Sequence, residues 1–335
     1  MQSLILSGGL GTRLRPLTLY CPKPLLPIAN VPFLSYPMAL LRKYNIGETI
    51  LCTADRLEPY GSLIEEEKKK GTTILCSRET VELGTGGAVK NAEDMIRSDP
   101  FFVMNGDILT NFDLTAMLAF HQERGAAVTI ALIAVPDPSA FGLVIQDDRG
   151  KINKFMEKPQ IQITDASERF YINAGVYIFN KDVLNLLSRG QKCSLEKELF
   201  PACLEKGLPL FGYRVDPGAY WLDIGTPPKY LEANRDAFKW KADFFPQALP
   251  LKKGSRSRLH DKTEMDEATV IGSDCFVDED CLLSDCVLLD RVTLEKGVTL
   301  QNCIIGSDCK IGSHSKIIHS KVIGNRSIVT SYSVL

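Results

Sequence analysis

The chain has 335 residues, 44% of them hydrophobic, with 39 Lys and Arg against 41 Asp and Glu and a formal net charge of −2. That length suits two domains with cores of their own, and the balanced charge gives no bulk attraction to nucleic acid or to an anionic membrane. No apolar run approaches the roughly 18 residues of a membrane span, and the basic residues of the N-terminal segment follow its apolar stretch, so a cytoplasmic protein is expected.

Residues 1–238 alternate apolar strand-like runs with helical patterns. The runs are SLILSG, ETILCT, TTILCS, FFVMNGD and AVTIALIAV; the helical patterns lie near 33–44, 57–70, 86–97 and 114–124. Such alternation predicts an α/β fold, a doubly wound and mostly parallel sheet whose ligands sit at the carboxyl ends of its strands. EEEKKK at 65–70 reads as a solvated helix face with i,i+3 and i,i+4 ion pairs.

The first loop carries the strongest single signal. Strand 3–7 runs into Gly8, Gly9, Gly11, Thr12 and Arg13, with Arg15 and Lys23 close behind. Glycines after a first strand let the backbone approach a ligand, and their N–H groups can cradle an anion. A P-loop is excluded because no Gly-Lys-Ser/Thr occurs. The dinucleotide fingerprint fails too, because Leu14 stands where its third glycine belongs and Pro16 opposes a helix start there. Cations this close to a glycine nest indicate a polyphosphate ligand.

A polar stretch with two prolines and a basic cluster from Lys252 to Arg258 predicts a linker over 239–268. After it, aliphatic residues recur at Ile271, Val277, Leu283, Leu288, Leu294, Leu300, Ile305, Ile311, Ile317, Ile323, Val329 and Leu335. The step is six, except for two steps of five after Leu283 and Leu300. Two residues before each hit stands a small or β-branched side chain, with Lys321 the exception; Cys275, Cys281, Cys286, Cys303 and Cys309 belong to this set. A six-residue period builds a three-faced prism with one short strand per face. Residues 269–335 should form about four coils, with the five cysteines as small core residues, glycines 272, 306, 312 and 324 at the turns, and a distortion at Lys321. The open edge at the last corner predicts a partner subunit or another segment over it. No C-x-x-C occurs, so neither a zinc site nor a redox pair is expected.

The motifs, taken in order, resemble the sugar-1-phosphate nucleotidyltransferases, or nucleotide-sugar pyrophosphorylases. GGLGTRLRPLT followed by PKPLLPIANVPFL is matched by LGTGGA at 83–88, NGD at 105–107, FGLV at 141–144, EKP at 157–159, NAG at 173–175 and WLDIGTPPKYLEAN at 221–234. The C-terminal repeat resembles the left-handed parallel β-helix of hexapeptide-repeat proteins, which this family often carries. The resemblance implies a nucleotidyl transfer from an NTP to a sugar 1-phosphate, with Arg13 on the β,γ-phosphates and Lys23 near the α-phosphate. Asp107 and Asp223 would ligate one Mg²⁺. Leu6, Gly8, Gly9, Gly11, Thr12, Glu82, Gly84 and Gly87 would line the nucleotide. Gly142, Glu157, Lys158 and Asn173 would bind the sugar phosphate.

One departure stands out. Where the family has Glu-Pro-Leu-Gly-Thr-Ala-Gly, this chain has Val81 and Glu82 before Leu83, so the base contact would fall to Glu82. Within the family the loop most resembles mannose-1-phosphate guanylyltransferases with a β-helix, implying GTP and mannose 1-phosphate, and a homo-oligomer assembled through the β-helix. Glucose-1-phosphate uridylyl- or thymidylyltransferase and heptose-1-phosphate guanylyltransferase are the enzymatic alternatives, and a catalytically silent nucleotide-sugar-binding regulatory subunit is the alternative of another class. His314 and His319 lie in the repeat, but an acyltransferase is disfavoured, because no inserted loop interrupts the coils to hold its cofactor.

Overall fold

The computed structural model describes residues 1–9, 11–54, 57–160, 169–238 and 252–335. The chain divides into two compact units, Met1–Gly9 with Leu40–Trp221, and Leu10–Ala39 with Leu222–Leu335. No helix among the described residues is long and apolar enough to cross a membrane.

The first unit is built on a nine-stranded sheet. Strand Gln2–Leu6 lies between the parallel strands Glu48–Ala54 and Phe101–Asn105, and Thr73–Glu79 is parallel to Glu48–Ala54 on its far side. These strands read as continuous apolar runs because both faces are covered: Leu4, Ile5, Ile50, Leu51 and Val103 are fully buried. The other half of the sheet is organised by the ten-residue strand Phe170–Phe179, antiparallel to Phe101–Asn105, Gly142–Gln146 and Val128–Val135. Strand Ile152–Glu157 extends it beyond Gly142–Gln146, and Leu210–Arg214 runs parallel to Val128–Val135.

Helices Gly61–Lys69 and Leu114–Glu123 stand where the periodicity places them, whereas the one expected near 86–97 spans Gly84–Asn91 and gives way to a 3₁₀ turn at Glu93–Met95. Asp113 caps Leu114–Glu123 by accepting the Ala116 N–H at 2.9 Å. The EEEKKK run departs from a wholly solvated face at one position. Glu67 is fully buried, and it is held there by Arg42 and by Lys70 at 2.9 Å. An i,i+3 pair and an arginine from another helix make that burial tolerable.

In the second unit, the C-terminal coils form three faces of parallel strands. One face stacks Arg258–Leu259, Phe276–Val277, Thr293–Leu294, Lys310–Ile311 and Ile328–Val329 in a five-stranded sheet. The described residues therefore form five coils where four were expected, and among them the ladder starts at Lys253, which bridges to Ile271. Stepping back by six from Ile271 meets Met265, Leu259 and Lys253, so the register continues into the segment expected to be linker. Its outward residues are so polar that the repeat was disguised. The part of that linker over 239–251 lies outside the described residues.

The two five-residue steps have a direct structural counterpart. At those corners a single left-handed residue, Asp285 at φ 50° or Asn302 at φ 48°, makes the bend, and the seven-residue strands Leu282–Leu288 and Thr299–Ile305 run through two faces. On the last coil the same corner has six residues, and the extra one is absorbed by His319 and Ser320, both left-handed at φ 63° and 60°. Lys321 follows them and is exposed, which is the expected distortion.

Cys275, Cys281, Cys286, Cys303 and Cys309 are all at most 2% exposed and unbridged, as the repeat requires. The glycine expectation needs correction. The left-handed corner positions are taken by Asp274, Asp280, Arg291, Asp308 and others, not by Gly272, Gly306 or Gly312. Those glycines serve close stacking: a Cβ on Gly272 would lie 2.6 Å from the Leu289 carbonyl carbon, and one on Gly312 would lie 2.5 Å from the Ser331 nitrogen.

The β-helix is not alone in its unit. The hairpin Pro27–Ile28/Val31–Pro32 and helix Pro227–Asp236 pack with it. Asn234 Oδ1 accepts the Ala29 N–H at 2.8 Å, and the Tyr230 hydroxyl donates to the Pro27 carbonyl.

Candidate active site

In the first unit, the carboxyl ends of the central parallel strands carry the candidate residues. Leu6 leads into Ser7, whose N–H and hydroxyl both donate to the Cys52 carbonyl, at 2.9 and 2.8 Å. This pins the chain where Gly8 and Gly9 begin the loop. A Cβ on Gly8 would lie 2.5 Å from Glu79 Oε1. Glu79 ends its strand, is 7% exposed, and accepts the Leu83 N–H at 3.2 Å. Burial pushes its carboxyl up, the Leu83 N–H opposes this, and the charge of Glu82 adds to it.

Glu82, expected beside the nucleotide, points away from Gly8 and Glu79 and into solvent. Its side chain is 62% exposed and is paired with Lys192 at 3.0 Å. The inward acidic group is Glu79, three residues earlier. The available signal was its position as the last residue of a parallel strand, where ligands of such sheets sit.

The glycines at 84–87 have a different neighbour from the one expected. Gly86 and Gly87 donate their N–H groups to the Cys193 carbonyl at 2.9 and 3.2 Å, and Cys193 N–H returns a bond to Leu83 at 2.8 Å. A Cβ on Gly84, at φ +69°, would lie 2.6 Å from the Cys193 carbonyl oxygen, and one on Gly87 would be 2.6 Å from that of Gln191. Gly84 and Gly87 therefore seat the 191–193 segment, and the N–H groups of Gly86 and Gly87 are engaged within the protein.

Asp107 follows strand Phe101–Asn105. Gly106 donates to the Leu6 carbonyl at 2.7 Å, and a Cβ there would come within 2.4 Å of that oxygen. Only glycine lets the two central strands end this close, and Asp107 emerges half-buried beside them.

A second cluster in the same unit joins the expected sugar-phosphate residues. Gly142 pairs with Glu157 across antiparallel strands. A Cβ on Gly142 would lie 2.5 Å from the Phe155 ring and 3.1 Å from Glu157 Oε2, so the space beside that carboxylate depends on glycine. Lys158 turns out of the strand at φ 48°, donating its N–H to the Phe141 carbonyl at 2.9 Å while its side chain stays exposed. Asn173 accepts the Gly175 N–H at 2.9 Å and donates to the Tyr177 hydroxyl at 2.9 Å.

Sequence reasoning missed Glu196 in this cluster. It accepts hydrogen bonds from Tyr177 at 3.3 Å, Ser194 at 2.8 Å and Thr85 at 3.2 Å. Burial raises the Glu157 carboxyl, and the Glu196 charge raises it further against Lys158 and Lys197. With that charge removed in Glu196→Gln, Glu157 should stay ionised to lower pH. A side-chain carboxyl NMR titration should therefore show its midpoint shifted downward, and an upward or absent shift would contradict the pairing.

In the second unit, Gly11 is left-handed at φ 59° and opens the single 3₁₀ turn Thr12–Leu14. Buried Leu14 and Leu17 anchor the loop and leave Thr12 and Arg13 exposed. A Cβ on Gly11 would lie 3.1 Å from both Lys23 Cβ and Thr18 Cγ2, and the Thr18 hydroxyl donates to the Gly11 carbonyl at 2.9 Å. Gly11 and Lys23 are thus packed on one another. Asp223 ends strand Trp221–Asp223. A Cβ on Gly225 would lie 2.6 Å from Arg13 Nη2 and 2.9 Å from Asp223 Oδ1, so the guanidinium and the carboxylate both border the space that this glycine leaves open. Gly225 is a further residue not singled out in advance, although it lies within WLDIGT.

Residues 2–239 match the Nucleotidyl transferase family, and residues 252–335 match the GMPPB C-terminal domain. The chain belongs to the nucleotidyl transferase family. The mannose-1-phosphate guanylyltransferase of Mycobacterium tuberculosis (strain ATCC 25618 / H37Rv) is 38% identical over 237 residues, covering 70% of this chain and 64% of that protein. The chain thus spans less than two thirds of that relative's length. Mannose-1-phosphate guanylyltransferase 1 of Arabidopsis thaliana is 34% identical over 283 residues, 83% of this chain and 74% of that one. Among solved structures, HddC from Yersinia pseudotuberculosis complexed with GMP-PN has a TM-score of 0.60 at 26% identity, covering 70% of this chain and 98% of HddC. The nucleotidyl transferase match takes in the glycine loop, Asp107, the Glu157 cluster and Asp223 together.

Proposed function

We propose that the chain transfers a guanylyl group from GTP to mannose 1-phosphate, giving GDP-mannose and pyrophosphate. Family membership and the two guanylyltransferases above support the reaction class. The observation that carries the base is Glu79, buried against Gly8 with one carboxylate position used by Leu83. A carboxylate has about four acceptor positions and no donor when ionised. Guanine is the common base that offers two adjacent donors, N1–H and the 2-amino group, to one such carboxylate.

In the reaction, a phosphate oxygen of mannose 1-phosphate attacks the α-phosphorus of GTP in line. The bond from that phosphorus to the bridging oxygen of the β-phosphate breaks, and pyrophosphate leaves with the electron pair. Little covalent help is needed, so catalysis is alignment and charge neutralisation. Arg13 takes the β,γ-phosphates and Lys23 the α-phosphate, while Gly8, Gly9, Gly11, Thr12 and Leu6 lie along the nucleotide. Lys158 pairs with the sugar's phosphate, Glu157 and Asn173 receive and orient its hydroxyls, and Gly142 leaves the room for them.

Asp107 and Asp223 fit a divalent cation by their chemistry: both are half-buried carboxylates at strand ends, and Mg²⁺ takes one or two such ligands together with substrate phosphates. When bound, Mg²⁺ neutralises phosphate charge as a Lewis acid. Assembly of copies through the β-helix is part of the same proposal, supported by exposed apolar residues such as Phe276 and Leu282 on its surface; a mass of one chain by light scattering would remove it.

Two experiments test the reading. Pyrophosphorolysis followed by ³¹P NMR should convert GDP-mannose and pyrophosphate to GTP and mannose 1-phosphate, and no conversion would refute it. Glu79→Gln should lower kcat/KM for GTP by roughly tenfold to a hundredfold, the 1–3 kcal/mol of a bidentate base contact, while leaving KM for mannose 1-phosphate unchanged. An unaltered GTP preference would remove Glu79 from base recognition.

A further inference from the structure

We propose that the fifth coil of the β-helix clamps the loop carrying Arg13 and Lys23 and so sets the position of these cations on the triphosphate. The inference rests on the phosphate roles given to those two residues above.

The loop and the coil belong to the same compact unit. By itself the loop has little internal order: it consists of the single 3₁₀ turns Thr12–Leu14, Leu17–Leu19 and Lys23–Leu25, joined by prolines. Turns this short have no continuing hydrogen-bond ladder, so their placement depends on what they pack against.

The β-helix supplies that support at both ends of the segment holding Lys23. Downstream, Asn30 donates to the Ile271 carbonyl of the second coil at 2.9 Å. Upstream, Pro16 lies against the fifth coil: a Cβ on Gly324 would stand only 3.0 Å from Pro16 Cβ and Cγ. Four residues further along the loop, the Tyr20 ring receives the Arg326 guanidinium at 5.4 Å from its centroid.

Gly324 is distinct from the stacking glycines. Gly272, Gly306 and Gly312 face the backbone of a later coil, whereas the contact of Gly324 is with the loop. Its lack of a side chain is thus explained by Pro16, three residues after Arg13. Arg326 and Tyr20 are both outward side chains, so their contact adds nothing to the packing inside the coils. Together these contacts connect the far end of a structural repeat to the two cations proposed for the triphosphate.

The test uses the full chain carrying Gly324→Val, which presses on Pro16, and Arg326→Ala, which removes the cation over Tyr20. Arg326→Lys serves as the conservative rescue. Ile328→Ser, at a 77% exposed position of the same coil, is the control for general weakening of that coil. Turnover is measured with GTP and mannose 1-phosphate, and hydrogen exchange is followed over residues 11–26.

The expected result is a roughly tenfold to hundredfold fall in kcat for Gly324→Val, with a smaller fall for Arg326→Ala that Arg326→Lys restores. KM for mannose 1-phosphate should hold, and exchange in the loop should rise. Unchanged kcat and loop exchange in both variants would overturn the clamp, and so would an equal loss in Ile328→Ser. Arg13→Ala and Lys23→Ala are run beside them. Full activity in those two would fail the phosphate reading itself, whereas their loss alongside normal Gly324→Val and Arg326→Ala would fail only the clamp.

Discussion

Replacing Asp107 with alanine is expected to cut turnover by roughly a thousandfold or more while leaving the fold in place. Asp107 stands at the end of a central strand, where the Gly106 contact with Leu6 fixes its backbone. The side chain is half-buried and outside the apolar core, so its removal opens no cavity in the sheet. On the proposed metal role, the lost interaction is the carboxylate's hold on a divalent cation, and about 4 kcal/mol of transition-state charge stabilisation corresponds to that thousandfold effect. Circular dichroism and the melting temperature should match the parent protein. Titration with Mn²⁺ in the presence of GTP, followed by electron paramagnetic resonance, should show weaker binding. Turnover within about tenfold of the parent would remove Asp107 from the machinery.

Arg13→Ala should lower kcat by roughly a hundredfold to a thousandfold, the scale on which a preorganised charge partner acts in a transition state. Arg13 is exposed on a turn whose anchors are Leu14 and Leu17, so the loop keeps its core contacts without it. The substitution also removes the guanidinium that borders Gly225 together with Asp223. Arg13→Lys should recover only part of the loss, because an ammonium lacks the planar fork that grips two phosphate oxygens at once. KM for mannose 1-phosphate should change little. A loss confined to that KM, with kcat intact, would place Arg13 on the wrong substrate.

The parts of this molecule that sequence made legible are those governed by period and by strand ends. Parallel strands at 2–6, 48–54, 73–79 and 101–105 follow from apolar runs alternating with helices. The five clustered cysteines follow from a hexad register with room for small inward side chains. What stayed hidden depended on long-range approach. Glu79 and Glu82 are both acidic and three residues apart, and only tertiary packing turns one against Gly8 and the other toward Lys192. The glycines at 84–87 resemble a ligand-binding turn, yet they seat a segment more than a hundred residues away, at Gln191 and Cys193. Glu196 enters the Glu157 cluster through Tyr177, a contact that no local pattern announces. The first coil was missed for another reason: Leu259 and Met265 keep the register, but their neighbours are charged and Met265 is 37% exposed.

The grouping of loop 10–39 with the β-helix is likewise invisible to a linear reading, which ends the catalytic domain near residue 238. Asn30, Asn234 and Tyr230 establish it through bonds across 200 residues and more. A truncation before the β-helix would therefore strip support from the loop that bears Arg13 and Lys23, and loss of activity in such a fragment would not by itself speak to assembly.

The measurement that bears most directly on the central claim is pyrophosphate release with Mg²⁺ across GTP, UTP, dTTP, CTP and ATP. Each nucleotide is paired with mannose, glucose, N-acetylglucosamine or heptose 1-phosphate. The account predicts that GTP with mannose 1-phosphate dominates, and that Glu79→Gln erodes the preference for GTP. Release from no pair, or dominance of UTP or dTTP with glucose 1-phosphate, would contradict it.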